Sequence, residues 1–197
     1  MRTALITGSG RREGLGFETA WQLAAEGFHV ILSARTVDQV EPLAGELAQE
    51  GFDASALELD LLDRASAAEA ARQVEERFGR LDVLINNADV MMPSPTVADK
   101  DLDELMFEFQ TNVVGTWSVT QHMLPLLVAG GSRPDRERVQ RRRGVLGPRL
   151  RAGQLPWLRD GRVRPAAESA RGVVWAATLP DGGPTGLFFR DGKQLPW

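Results

Sequence analysis

Apolar and polar positions along the chain fall into two alternating regimes. Residues 2–6, which end in the apolar run Ala4-Leu5-Ile6, are predicted to form a buried strand, and a glycine-rich loop follows. Residues 14–26 place Phe17, Ala20, Trp21 and Ala24 at helical spacing, which predicts a helix with one apolar face. A second strand is predicted over 29–34, a helix over 37–50 stopped by Gly51, and a third strand over 54–59. Asp63 stands where an N-cap belongs, ahead of a helix running to Phe78 and ended by Gly79. Residues 81–85 read as a fourth strand, and 101–128 as two more helical stretches. Strands that alternate with helices predict a parallel sheet with crossover helices. The expected fold class is α/β, a Rossmann-like doubly wound parallel sheet.

The pattern collapses after Gly130-Gly131. Residues 132–164 show neither apolar alternation nor an amphipathic helix, and Arg141-Arg142-Arg143 lies in their middle. A helix is predicted again over 168–178 and a last strand over 185–189. The sheet is therefore expected to be incomplete after its fourth strand. The organisation read from this is a nucleotide-binding portion over 1–131, an anomalous Arg-rich segment over 132–164, and a C-terminal helix and strand of the same domain over 165–197.

Charge sharpens that division. The net charge is −4, yet residues 133–164 hold 11 Arg against 3 acidic residues, while the rest of the chain holds 12 basic and 24 acidic. Such a split is unusual inside one small domain. The stretch lacks interleaved aromatics and any recognisable nucleic-acid module, so nucleic acid is not an expected partner. No apolar run approaches a membrane span. The N-terminus runs straight into a strand-like segment without room for a signal peptide, and a cytoplasmic protein is expected. There is no Cys, and the only His are His29 and His122, so neither a thiolate nor a His-based metal site is expected.

The candidate chemistry begins at Thr7-Gly8-Ser9-Gly10-Arg11-Arg12-Glu13-Gly14-Leu15-Gly16, between the first strand and the first helix. Glycines there let backbone approach a pyrophosphate, and the helix N-terminus offers free N–H groups and a positive dipole end. This loop resembles the T-G-x-x-x-G-x-G loop of the short-chain dehydrogenase/reductase family, with two extra residues. Leu59-Asp60-Leu61 resembles the family's strand-end Asp, which implies a carboxylate at the adenine; an ordinary strand-end acid is the alternative. Asn86-Asn87-Ala88-Asp89 resembles its N-N-A-G motif, which brings Asn87 and Ala88 to the cofactor. Asp89 departs from the family glycine, and a side chain there would crowd or repel a nucleotide. Asn112-Val113-Val114-Gly115 resembles the helix motif carrying the Asn of the catalytic tetrad. Asn112 is thus a candidate catalytic residue and equally a candidate buried amide bracing the sheet. The tail from 185 to 197 resembles carbonyl-reductase-like members.

The second strand ends Ser33-Ala34-Arg35. Sites that prefer NAD place an acid near there for the ribose hydroxyls, whereas a guanidinium suits a 2′-phosphate. Arg35, with Arg11 and Arg12 in the loop, therefore favours NADP(H) over NAD(H); three solvated surface arginines are the alternative.

The resemblance implies hydride transfer between NADP(H) and a small carbonyl or alcohol. It also implies a Ser after the fifth strand, a Tyr proton donor, and a Lys four residues beyond the Tyr. The chain holds no Tyr, its only Lys are Lys100 and Lys193, and Ser132 comes too early. It is expected to be inactive as written, or to be a non-catalytic NADP-binding remnant acting through a partner. Homo-oligomers are expected as well, or self-association through the open edge of a buried strand, either 81–85 or the first strand. One account of the gap lies in the coding frame. Read one nucleotide later, synonymous codons for residues 133–144 can spell G-R-I-V-N-V-S-S-G-A-G-V, the family's fifth strand and Ser motif, and Leu158-Arg159 can contain a Tyr codon. A divergent basic loop is the alternative.

Overall fold

The computed structural model describes residues 1–94, 96, 98–130, 139–141 (backbone only), 164–180, 183–184, 186–190 and 192–195. In chain order the elements are β1 (Arg2–Ile6), α1 (Leu15–Ala25), β2 (Phe28–Ala34), a 3-10 turn (Val37–Gln39), α2 (Glu41–Gln49), β3 (Ala54–Glu58), α3 (Arg64–Phe78) and β4 (Val83–Asn86). Then come α4 (Leu102–Phe109), a π-helical turn (Gln110–Gly115), α5 (Thr116–Ala129), β5 (Val139–Arg141), α6 (Ala166–Ala177), β6 (Phe188–Arg190) and β7 (Lys193–Leu195).

The first five strands form one sheet in the order β3-β2-β1-β4-β5, and all its pairings are parallel. Alternate side chains of each central strand feed opposite cores, as the two-residue period of a strand requires. Ala4, Ile6, Val30, Leu32, Val83 and Ile85 face α1, α2 and α6, where they meet Phe17, Leu23, Leu47 and Val173. Leu5, Ile31, Leu57 and Leu84 face α3 and α5, where they meet Ala70, Val74, Val119 and Met123. Burial on both faces explains why these strands read as continuous apolar runs. The helices on both faces make the sheet doubly wound. No helix of the described residues is long and apolar enough to cross a membrane.

Helix ends follow local chemistry. The Asp63 carboxylate accepts the Ala65 N–H at 2.8 Å, and Gly79 closes α3 at φ 71°. On α1 the inward face is Phe17, Ala20, Leu23 and Ala24. Trp21, expected on that face, is instead partly exposed; its Nε1 donates to Glu50 at 2.8 Å and its ring meets Phe52 edge-on. An indole N–H needs a polar partner, which the rim supplies and a dry core does not.

Two expectations change beyond β4. The sequence pattern gave no strand within 132–164, yet Val139–Arg141 pairs in parallel with β4, Leu84 opposite Val139 and Asn86 opposite Arg141. Three residues are too few to show alternation, and backbone pairing asks nothing of their side chains. No further strand joins this sheet among the described residues: beyond β4 it gains only the three residues of β5, so it is incomplete, as expected, but β4 is covered and is not its open edge. The rest of the Arg-rich segment lies outside the described residues. The predicted last strand over 185–189 is realised as β6, which pairs with β7 in a separate antiparallel hairpin, not with the main sheet. Gly192, at φ 74°, provides the left-handed turn that a tight hairpin needs.

The C-terminal helix belongs to the same body. α6 packs on α1, Gln22 Nε2 donates to the Ala167 carbonyl at 2.9 Å, and Trp175 stacks with Phe189 at 5.2 Å.

Candidate cofactor site

The strand order turns about β1: the chain steps outward to β2 and β3, then returns to β4 on the other side. In open parallel sheets the crevice beyond the carboxyl ends of such strands is where ligands bind. The glycine loop after β1 and the Asn86–Asp89 segment after β4 lie at those ends.

Thr7 joins them. Its buried Oγ accepts the N–H groups of Asn87 and Ala88, each at 3.0 Å, and its own N–H donates to the Ile85 carbonyl at 3.0 Å. The Asn87 amide returns the contact, donating to the Thr7 carbonyl at 2.9 Å and the Gly8 carbonyl at 3.2 Å. The glycines are required by this closeness. A Cβ on Gly8, which sits at φ 68°, would lie 2.7 Å from Ala88 Cα. One on Gly16 would lie 2.7 Å from both Asn87 Nδ2 and the Gly8 carbonyl oxygen. Gly14 is the N-cap of α1 and supplies no side-chain acceptor, so the first turn at Leu15 and Gly16 opens with its N–H groups uncapped by any side chain. A backbone cradle under an uncapped helix start fits a pyrophosphate.

Ser9 plays another part than its place in the loop suggests. It is fully buried, and its hydroxyl donates to the Ile6 carbonyl at 2.7 Å while its N–H donates to Ser33 at 2.8 Å. It ties the loop to β1 and β2. Gly10 rests against Ala34 and Gln39, so the loop crosses the carboxyl end of β2 next to exposed Arg35. Arg11 is exposed as well, whereas Arg12 is held by α2: Nε donates to Glu46 at 2.9 Å and Nη2 lies 2.6 Å from its other oxygen, with the guanidinium over the Phe17 ring.

Asp60 follows β3 at the same edge. One of its carboxylate oxygens accepts the Leu62 N–H at 2.9 Å, and Ser66 Oγ accepts the Asp60 N–H. Leu61, next to it, lies close against Gly115, where a Cβ would come 2.3 Å from the Leu61 carbonyl oxygen.

Asn112 lies in the π-helical turn, a deviation frequent at functional sites. Its side chain spans the backbone of Val90: Oδ1 accepts the Val90 N–H at 2.8 Å, and Nδ2 donates to the Val90 carbonyl at 2.6 Å. The amide is half-buried and ties the loop after β4, not a strand of the sheet. Sequence reasoning missed its companions. Lys100 Nζ donates to Glu108 at 2.6 Å and to the Met92 carbonyl at 2.8 Å, and Glu108 accepts the Met92 N–H. The hydrogen bond between them holds the Glu108 carboxyl below its usual range and raises the Lys100 ammonium above its own. The only sequence signal was Lys100, Glu104 and Glu108 at four-residue spacing, which also reads as a solvated helix face.

Comparison with known proteins agrees with this geometry. The profile of the short chain dehydrogenases matches residues 2–133. The chain belongs to the short-chain dehydrogenase family. Oxidoreductase UcpA of Escherichia coli (strain K12) is 36% identical over 128 residues, covering 65% of this chain and 47% of the relative. The uncharacterized oxidoreductase YxjF of Bacillus subtilis (strain 168) is 32% identical over 126 residues, covering 64% of this chain and 48% of the relative. This short-chain dehydrogenase chain therefore spans about half the length of the curated relatives it matches. Among solved structures, a gluconate 5-dehydrogenase from Burkholderia cenocepacia J2315 in complex with NADP and tartrate is similar with TM-score 0.61 and 32% identity, covering 66% of this chain and 50% of that one. The Pseudomonas aeruginosa RhlG/NADP active-site complex is similar with TM-score 0.60 and 32% identity, covering 66% and 49%.

Proposed function

We propose that this short-chain dehydrogenase binds NADP(H) in preference to NAD(H), and that the chain as written does not complete carbonyl reduction. The observation that carries the cofactor reading is the end of β2. Exposed Arg35, not an acid, follows Ala34 there, and the loop bearing exposed Arg11 crosses the same place. Support comes also from the similar structures that are complexes with NADP. Gly8, Gly14 and Gly16 would hold the pyrophosphate, Asp60 the adenine side, and Asn87 and Ala88 the inner wall. When bound, NADPH supplies hydride to a carbonyl carbon.

The alkoxide so formed needs a proton donor. The chain offers no Tyr. Lys100 is committed to Glu108 and Met92, and Lys193 lies in the β6–β7 hairpin. Asn112 spends both ends of its amide on Val90, and an amide does not titrate usefully. These observations favour a second reading, a non-catalytic nucleotide-binding protein that acts through a partner.

Titration by NADPH fluorescence tests the first claim. NADPH is expected to bind more tightly than NADH, and Arg35→Asp to reverse the order. Equal affinities, or no binding by a chain shown to be folded, would refute it. An assay with NADPH and simple ketones tests the second; steady turnover would refute it.

A further inference from the structure

The glycine loop carries two residues more than the pattern it resembles, and the extra length folds back on itself, with Gly14 N donating to the Arg11 carbonyl at 2.9 Å. Of the three arginines near the end of β2, Arg12 alone is seen engaged in an ion pair among the described residues. Its Nε and Nη2 meet the two oxygens of Glu46 at 2.9 and 2.6 Å, and Phe17 lies 4.6 Å beneath the guanidinium. A guanidinium presents the same two-nitrogen edge to a carboxylate and to a phosphate. Glu46 therefore fills the edge that a phosphate would take. The pair is partly open to solvent, at 55% and 34% side-chain exposure, so its hold on Arg12 weakens as salt is raised.

We propose that Glu46 is a specificity-determining residue: it withholds Arg12 from the 2′-phosphate, so that preference for NADP(H) rests on Arg11 and Arg35 alone. The proposal rests on the cofactor reading above and predicts something that reading does not. Simple proximity would make Arg12 a phosphate ligand, whose loss costs NADP(H) affinity. Here its loss costs little, and removing its partner yields a gain.

The test compares NADPH and NADH affinities of the full chain and of three variants by fluorescence titration, with thermal melts to show that each is folded. Glu46→Gln keeps the shape of the side chain and removes its charge. It is expected to tighten NADPH about threefold to tenfold while NADH changes by less than about twofold, and the gain should shrink as salt is raised. Arg12→Ala is expected to leave the NADPH:NADH ratio within about twofold of the parent, because Glu46 already occupies that guanidinium. In the Arg12→Ala background, Glu46→Gln should give less than about a twofold gain at physiological ionic strength, where direct repulsion from an exposed carboxylate is screened. An unchanged ratio in Glu46→Gln overturns the proposal and leaves the cofactor reading standing. Equal weakening of both cofactors makes Glu46 a strut for the loop and also overturns it. Absence of NADPH binding by the parent chain removes the cofactor reading, and the proposal falls with it.

Discussion

Thr7→Val keeps the volume and β-branching of the side chain and removes the Thr7 hydroxyl from the ties between the glycine loop and the Asn86–Asp89 segment, leaving the Asn87 amide on the Thr7 and Gly8 carbonyls. Three bonds are at risk: the hydroxyl's own donation to the Ile85 carbonyl, long at 3.4 Å, and its acceptance of the Asn87 and Ala88 N–H groups. The Asn87 N–H is shared, reaching the Ile85 carbonyl at 3.0 Å as well as Thr7 Oγ at 3.0 Å, so it keeps a partner. The Ala88 N–H has Thr7 Oγ as its acceptor, at 3.0 Å, and is orphaned. An unsatisfied buried donor costs about 1–3 kcal/mol; because this one is only part-buried, the lower half applies, about 1–2 kcal/mol. For a chain of this length each kcal/mol moves the melting temperature by about 2–4 °C, so a fall of about 2–8 °C is expected. Thr7→Ser, which retains the hydroxyl, should recover most of it. Thermal unfolding and urea titration measure both. If Thr7→Val melts with the parent, or Thr7→Ser melts as low as Thr7→Val, the hydroxyl is not the tie described.

Glu108→Ala should release Met92 while leaving Val90 pinned by Asn112; faster amide exchange at Met92 than at Val90 is the expected signature, and unchanged exchange at both would count against the clamp. Burial, chiefly, pushes the His29 imidazole below its usual 6.5, with Asp53 opposing and Arg77 adding to the shift. The folded state thus binds a proton less readily than the unfolded one, and this stability, full above pH 6.5, drains away as pH falls below it. His29→Asn should flatten that part of the stability–pH curve, and an equal slope in parent and variant would remove His29 as its source. Concentration-dependent self-association is expected from the short edge strand β5 and from exposed Leu102, Met106, Phe109 and Trp117 on the α4–α5 side. A sedimentation profile of pure monomer at high concentration would refute it.

The elements up to β4 were legible because β1, β2 and β4 are buried on both faces and because α3 carries its own boundary residues, Asp63 and Gly79. The close approach at the glycine loop was legible for a similar reason: where backbone must come near backbone, as Gly8 does to Ala88 and Gly16 to Asn87, the residue types themselves carry the mark. What could not be read were contacts between residues far apart in sequence. Nothing at Arg12 announces Glu46, and nothing at Glu108 announces the Met92 backbone. Buried Ser9 looked like a nucleotide contact because a hydroxyl's direction is not encoded by its neighbours. β5 was missed because three paired residues carry no period. The frame-shifted account of residues 133–162 is decided by the gene: a stop codon in the shifted frame, or no strand–Ser–Tyr pattern there, would leave the basic segment a product of divergence.

The π-helical turn between α4 and α5 has a consequence for how this region tolerates change in length. Each residue of an α-helix turns the chain by about 100°, so the wider turn at Gln110–Gly115 sets the phase of α4 relative to α5. On α5, Val119, Met123, Leu126 and Leu127 face the core, whereas α4 buries none of its residues and instead turns Glu108 toward Met92. Deleting one residue inside the turn would restore regular winding and swing α4 round by about that angle. Glu108 would leave the loop, and one of the apolar side chains now in solvent would arrive in its place. The turn is a phase shifter: it lets one continuous helical rod serve the hydrophobic core at one end and a polar backbone clamp at the other.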